Sequence, residues 1–286
     1  MKKIIIVFIL LSSLSSNTFS QQQSYIHLPE NVQMEILLDT TVTTFFDNNV
    51  YMDIWERLWI KSDRSMACID FMNDSLEVNY ITLEDQPKIN DICWLSNGDM
   101  IIANDSVLLL LDDTGYQIIS NLPYPNMQIA PADTNSIYIF GQSIIRKEYD
   151  ISLLNMAGEI TRLFSLNDEV KEITGNGIVS IVTLNKEILL FSQIVEPTVF
   201  YRTDSEIRSI SVTDFGDIFI ATQEGITFFE KMERAYTFCN VGTKKLWNID
   251  DKLFALFDDG KFAVIYPISR FEKFTQIEIL EQKNNN

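Results

Sequence analysis

Six consecutive four-strand units predict an all-β fold, a six-bladed β-propeller of four-stranded antiparallel blades. Two observations carry the prediction. A strand that is apolar on both faces recurs about every 40 residues, and turn chemistry flanks it at matched offsets. A third observation agrees: no Pro-, Gly- or Ser-rich linker divides the chain.

The recurring element is the second strand of each unit, at 57–61, 99–103, 136–140, 178–182, 217–221 and 252–256. Its fourth column reads Ile60, Ile102, Ile139, Ile181, Ile220 and Ala255. Its third reads Trp59, Ile101, Tyr138, Ser180, Phe219 and Phe254. Adjacent columns of a strand point to opposite faces, so both faces are expected to be buried. A sheet with one wet face would alternate apolar and polar instead. Blades stacked around an axis supply the doubly covered environment.

The turns keep the same register. Asn97-Gly98, Asn176-Gly177, Phe215-Gly216 and Asp250-Asp251 precede their strands, Thr134-Asn135 is a moderate signal, and Trp55-Glu56 is a weak one. Asn and Gly accept the positive φ of tight hairpins. Third strands follow at 107–111, 187–191, 226–229 and 262–266, and fourth strands at 77–83, 117–122, 159–166 and 198–202. Trp94 and Trp247 hold one column of the first strands, shared with Val212 and Ile173. Packing between blades is expected of them rather than ligand stacking.

The ends read differently. Lys2 and Lys3, the apolar run 4–11 and the small residues Thr18 and Ser20 ahead of Gln21 form a secretory signal peptide over residues 1–20. Its apolar run is too short to span a bilayer. The mature chain is therefore expected to be exported, periplasmic or extracellular, with no membrane insertion after cleavage. Residues 21–46 form a lead, 47–281 the propeller, and 282–286 a polar tail expected to be disordered. The run 33–38 lies outside the six units. Either it or the terminal segment 274–280 is expected to pair with the last blade and close the ring.

Acidic residues outnumber basic ones 40 to 22, for a net charge of −18. That balance repels nucleic acid and anionic lipid, and it suits a basic partner. The three cysteines, Cys68, Cys93 and Cys239, sit in apolar strand patterns and are expected to be small buried hydrophobes. A Cys68–Cys93 bridge between neighbouring units is the alternative.

One segment carries a resemblance. Thr213-Asp-Phe-Gly-Asp-Ile-Phe-Ile-Ala-Thr-Gln-Glu-Gly-Ile-Thr-Phe-Phe229 resembles the repeat of bacterial sensor-type propellers, the two-component-regulator and NHL-like classes. The segment 97–111 is similar to a weaker copy, with Asn104-Asp105 at its second turn. The resemblance implies the fold and carries over no functional residues, because fold alone does not name a function.

No catalytic set is recognised. His27 is the one histidine and lies outside the repeats, which leaves a Ser-His-Asp or Cys-His arrangement without a base in the propeller. No metal-ligating spacing and no cofactor motif occurs, so no metal and no cofactor are expected. Asp112-Asp113-Thr114-Gly115 and Asp258-Asp259-Gly260 lack the alternating oxygen ligands of a calcium loop and read as turns. What remains is the loop face, where connections from fourth to first strands meet those from second to third. Asp85, Asp105, Asp168, Glu169, Asp204, Glu206, Glu224 and Asp258 fall in these loops, with Arg64, Lys88, Lys186 and Lys244 interspersed. The expected function is a monomeric, non-enzymatic binding or scaffold protein that holds a protein or peptide, a basic one by preference. The alternative is a carbohydrate-active enzyme, a glycoside hydrolase or lyase, with two carboxylates at the channel mouth and a glycan as substrate.

Overall fold

The computed structural model describes Leu28 and residues 32–38, 49–70, 77–82, 88–112, 115–175, 180–193, 195–231, 234–266 and Ile268. Residues 1–20, read above as a signal peptide, His27, Asp85, the Asn176-Gly177 pair and the segment 274–280 lie outside the described residues. Among the described residues there are strands and no helix, so no helix is long and apolar enough to cross a membrane.

The chain is a six-bladed β-propeller of four-stranded antiparallel sheets. It opens with β1 (Gln33–Leu38). The first blade holds β2 (Val50–Met52), β3 (Leu58–Lys61), β4 (Ser65–Asp70) and β5 (Glu77–Thr82). The second holds β6 (Ile89–Trp94), β7 (Met100–Asn104), β8 (Val107–Asp112) and β9 (Gly115–Asn121). The third holds β10 (Gln128–Asp133), β11 (Ser136–Gln142), β12 (Tyr149–Asn155) and β13 (Ile160–Leu166). The fourth holds β14 (Glu172–Gly175), β15 (Ser180–Thr183), β16 (Glu187–Ser192) and β17 (Val195–Arg202). The fifth holds β18 (Ser209–Val212), β19 (Ile218–Ala221), β20 (Ile226–Glu230) and β21 (Arg234–Cys239). The sixth holds β22 (Thr243–Ile249), β23 (Lys252–Phe257) and β24 (Phe262–Tyr266).

The sixth blade takes its outermost strand from the other end of the chain. β1 pairs antiparallel with β24, with Met34 opposite Ile265 and Ile36 opposite Ala263. Met34 and Ile36 pack against the cluster of Phe219, Phe238 and Leu246. Leu38 joins Val50, Met52 and Leu58 of the first blade. One strand thus serves both interfaces of the closing blade.

The doubly apolar second strands behave as their columns demand. β7 is buried along its whole length. Ile101 packs forward onto Ile129, Ile137 and Ile139 of the third blade. Its neighbour Ile102 packs back onto Trp59, Met66 and Cys68 of the first. Burying each such side chain is worth about 1.5–3 kcal/mol. The fourth blade is the exception, shifted by one position from the expected columns. Ile181 packs forward with Ile210 and Ile220 of the fifth blade and Val182 back with Tyr138 of the third. Ser180 therefore faces the third blade, and its hydroxyl shares a 2.6 Å hydrogen bond with the hydroxyl of Tyr138. Trp94 and Trp247 pack rather than stand free: Trp94 lies 5.5 Å from Trp59, and Trp247 lies 6.1 Å from Phe262. They do not share a column, however: Trp94 pairs with Met100 and Trp247 with Phe254, one column on. Cys68, Cys93 and Cys239 are buried free thiols with no disulfide among them. Burial pushes Cys68 and Cys239 up to about 11, so neither offers a thiolate at neutral pH.

Candidate functional site

The innermost strands line a central channel of about 850 Å³. One position of these strands recurs around it, the residue just before the inner apolar column. It is occupied by Asp91 before Ile92, Glu172 before Ile173, Ser209 before Ile210 and Lys245 before Leu246. Three of these side chains accept the backbone N–H of the next blade's column residue. Asp91 accepts from Ile129 at 2.9 Å, Glu172 from Ile210 at 2.9 Å, and Ser209 from Leu246 at 3.2 Å. They act as struts between blades.

Lys245 closes the set. Its ammonium donates to Glu172 Oε1 at 2.8 Å, bridging the sixth blade to the fourth. Burial works against the charged lysine, but the Glu172 charge and hydrogen bond, helped by Asp91, outweigh it and hold its pKa above the usual lysine value. Asp91 also accepts from its neighbour Ile92 N–H at 3.0 Å and from the hydroxyl of Tyr51. Burial nevertheless dominates and raises the Asp91 pKa above the ordinary carboxylate range. Tyr51 is raised as well, by burial first and by Asp91 second.

Both oxygens of Asp91 and of Glu172 are therefore engaged. Glu172 takes the Ser209 hydroxyl at 3.0 Å in addition to Ile210 N–H and Lys245. Among the described residues, no three His, Cys, Asp or Glu side chains come together in a group that could hold a metal ion.

The loop face lies above this ring. Seven of the eight acidic residues expected there are described, and all seven fall in connections of that face. Glu169 and Glu206 line the channel mouth. Asp105, Asp168, Asp204, Glu224 and Asp258 stand outside it. Several carboxylates are engaged locally. Asp258 pairs with Arg208 at 2.5 Å, joining the sixth blade to the fifth. Glu169 pairs with Lys171 at 3.4 Å, Asp105 accepts from the Asn90 amide at 3.0 Å, and Glu224 accepts from the Ser205 hydroxyl. The rim is thus an alternation of signs rather than an unbroken negative band. All seven carboxylates are exposed, and Asp168, Asp204 and Glu206 are those whose side chains make neither an ion pair nor a hydrogen bond among the described residues.

The groups at the centre were not picked out by the sequence. Asp91, Glu172 and Lys245 stand directly after Asn90, Lys171 and Lys244, among other polar residues at the starts of short inner strands, and nothing local marks them. The available signal was their offset: each immediately precedes the apolar column, at a place where a strand packed on both faces has no reason to carry a charge.

No family model matches the chain, and no curated protein matches it. Solved structures are similar to it. A virginiamycin B lyase from Staphylococcus aureus shares 12% identity over 76% of this chain and 78% of that one, with a TM-score of 0.57. A gluconolactonase from Xanthomonas campestris shares 10% identity over 83% and 90%, with a TM-score of 0.59. An auxiliary nutrient binding protein from Bacteroides ovatus shares 12% identity over 83% and 77%, also with a TM-score of 0.59. At such identities the likeness establishes the fold, the six-bladed propeller, and nothing finer.

Proposed function

We propose that this is an exported, non-enzymatic binding protein whose loop face holds a protein or peptide partner. The observation that carries the reading is the saturation of the central carboxylates. Asp91 and Glu172 accept backbone N–H groups from neighbouring blades, and Glu172 is also held by Lys245. A general acid or base must exchange a proton with substrate in a reachable pose. These two carboxylates are spent on holding blades together, which disfavours the hydrolase or lyase reading.

The exposed Asp168, Asp204 and Glu206 provide a steering field for basic stretches of a partner. The test uses a Lys/Arg-rich peptide titrated calorimetrically at low and high salt. Charge reversal in D168K/E169K is expected to weaken capture several-fold and to flatten its salt dependence. Binding that is unchanged by the reversal, or turnover of a glycan panel by the wild type, would overturn the proposal.

A further inference from the structure

A second cavity of about 900 Å³ opens on the loop face, beside the channel mouth. Its charge opposes the composition of the chain. Lys61 from the end of β3, Lys88 from the approach to β6 and Lys147 from the β11–β12 loop line it. Glu169 is the one carboxylate of its wall among the described residues, and Lys171 already neutralises it at 3.4 Å.

Lys61 is the unusual member. Its residue is only 8% exposed, and its ammonium donates to a single neutral acceptor, the Ile89 carbonyl, at 3.2 Å. An ammonium carries three N–H donors. A buried one without a carboxylate in contact is costly. Burial accordingly lowers its pKa below the usual lysine value, with Asp91 pulling the other way.

The other two lysines are exposed. Lys88 makes a 3.3 Å contact with Asp63 in which both side chains stay exposed. Lys147 has no carboxylate at ion-pair distance among the described residues. It stands at φ 62° in a loop held by Lys147 N–H to Ser143 O at 3.0 Å and by Arg146 on Asp150. The side-chain amides of Asn126, Gln128 and Gln142 complete the wall.

We propose that this cleft is a binding site for an acidic saccharide, with a uronate carboxylate set against Lys61, Lys88 and Lys147 and sugar hydroxyls on the amides. The size suits a short oligosaccharide, since ligand pockets run from about 300 to 1,000 Å³. Amides with both donor and acceptor capacity match hydroxyls. The wall is built of strand ends and turns, which offers an extended peptide no free strand edge to pair with. The site is independent of the basic-partner reading: D204K, at a residue that lines neither cavity, should weaken capture of a cationic peptide and leave this cleft intact.

The experiment is calorimetric titration of the full chain with trigalacturonate, with its neutral methyl ester and with an acidic hexapeptide. Saturable, salt-sensitive binding of trigalacturonate is expected, with none of the ester. K61M should weaken it roughly tenfold and K147M a few-fold, as loss of a charge-assisted hydrogen bond predicts. Lys147 is exposed, so K147M reports even if K61M fails to fold. Absence of binding, equal binding of the ester, tighter binding of the peptide, or an unaltered K88M/K147M variant would each overturn the proposal.

Discussion

Tyr138 and Ser180 are joined by one hydrogen bond between buried hydroxyls of neighbouring blades. Neither is worth much alone, but removing one strands the other. Tyr138→Phe is expected to cost about 1–2 kcal/mol in urea denaturation. Adding Ser180→Ala should recover much of that loss, and additive losses would refute the coupling. Asp150 gives a pH prediction. Burial alone would raise its pKa, but hydrogen bonds from Ser165 and Arg146 and the charge of Arg162 outweigh it and hold it below the ordinary carboxylate value. Arg146 donates to both of its oxygens, at 2.8 and 2.6 Å, and Tyr124 donates at 3.2 Å. A depressed folded pKa means stability that is present above the unfolded value, about 3.9, and lost as pH falls through the lowered folded one. Thermal melts should therefore show the wild type falling steeply below about pH 4, and Asp150→Asn should be less stable at neutral pH with a flatter acid limb. Neither pairing was visible beforehand. Ser180 looked like a flaw in an apolar column, but Ile181 fills that column one position later and Ser180 faces Tyr138 of the preceding blade.

At the scale of the element, glycines at similar turns carry very different loads. Gly216 stands at φ 83° with open space where a Cβ would project. Gly225 stands at φ 145°, and a Cβ there would lie 2.1 Å from the Cys239 carbonyl oxygen. Gly216→Ala is expected to cost about 1–2 kcal/mol from backbone conformation alone. Gly225→Ala should cost clearly more, since backbone must move, and equal melting temperatures would contradict this. The second strands were legible because burial on both faces leaves two apolar columns and the repeat sets their spacing. The turn before β3 was barely legible because no glycine makes it. Asp53 organises it, accepting Trp55 N–H at 3.0 Å, Arg57 N–H at 2.9 Å and the Trp59 indole at 2.8 Å. Glu56 takes φ 64° there and is tied to Lys252 of the sixth blade at 2.6 Å. The acidic rim was legible as a set of loops but not as a field, because Asp258 meets its counter-charge, Arg208, only across a blade boundary. The channel charges were illegible for a similar reason: Asp91, Glu172 and Lys245 meet only through the ring.

For the whole molecule the decisive contact is β1 on β24. Deleting Gln33–Leu38 should remove an interface strand from two hydrophobic clusters and bare the β24 edge. A lowered, broadened thermal transition and larger species on size-exclusion chromatography are expected, because an exposed edge is a template for pairing between chains. A monomer with an unchanged melt would argue that the sixth blade stands without it. The same contact has a temporal meaning. Gln33 meets Tyr266, so β1, the first of the described strands to leave the ribosome, has to wait for β24, the last of them, before it is paired. Folding of so non-local a ring is slow. A chain carried across a membrane in extended form would meet this wait only on the far side, where its earliest segment needs shielding until the final hairpin arrives.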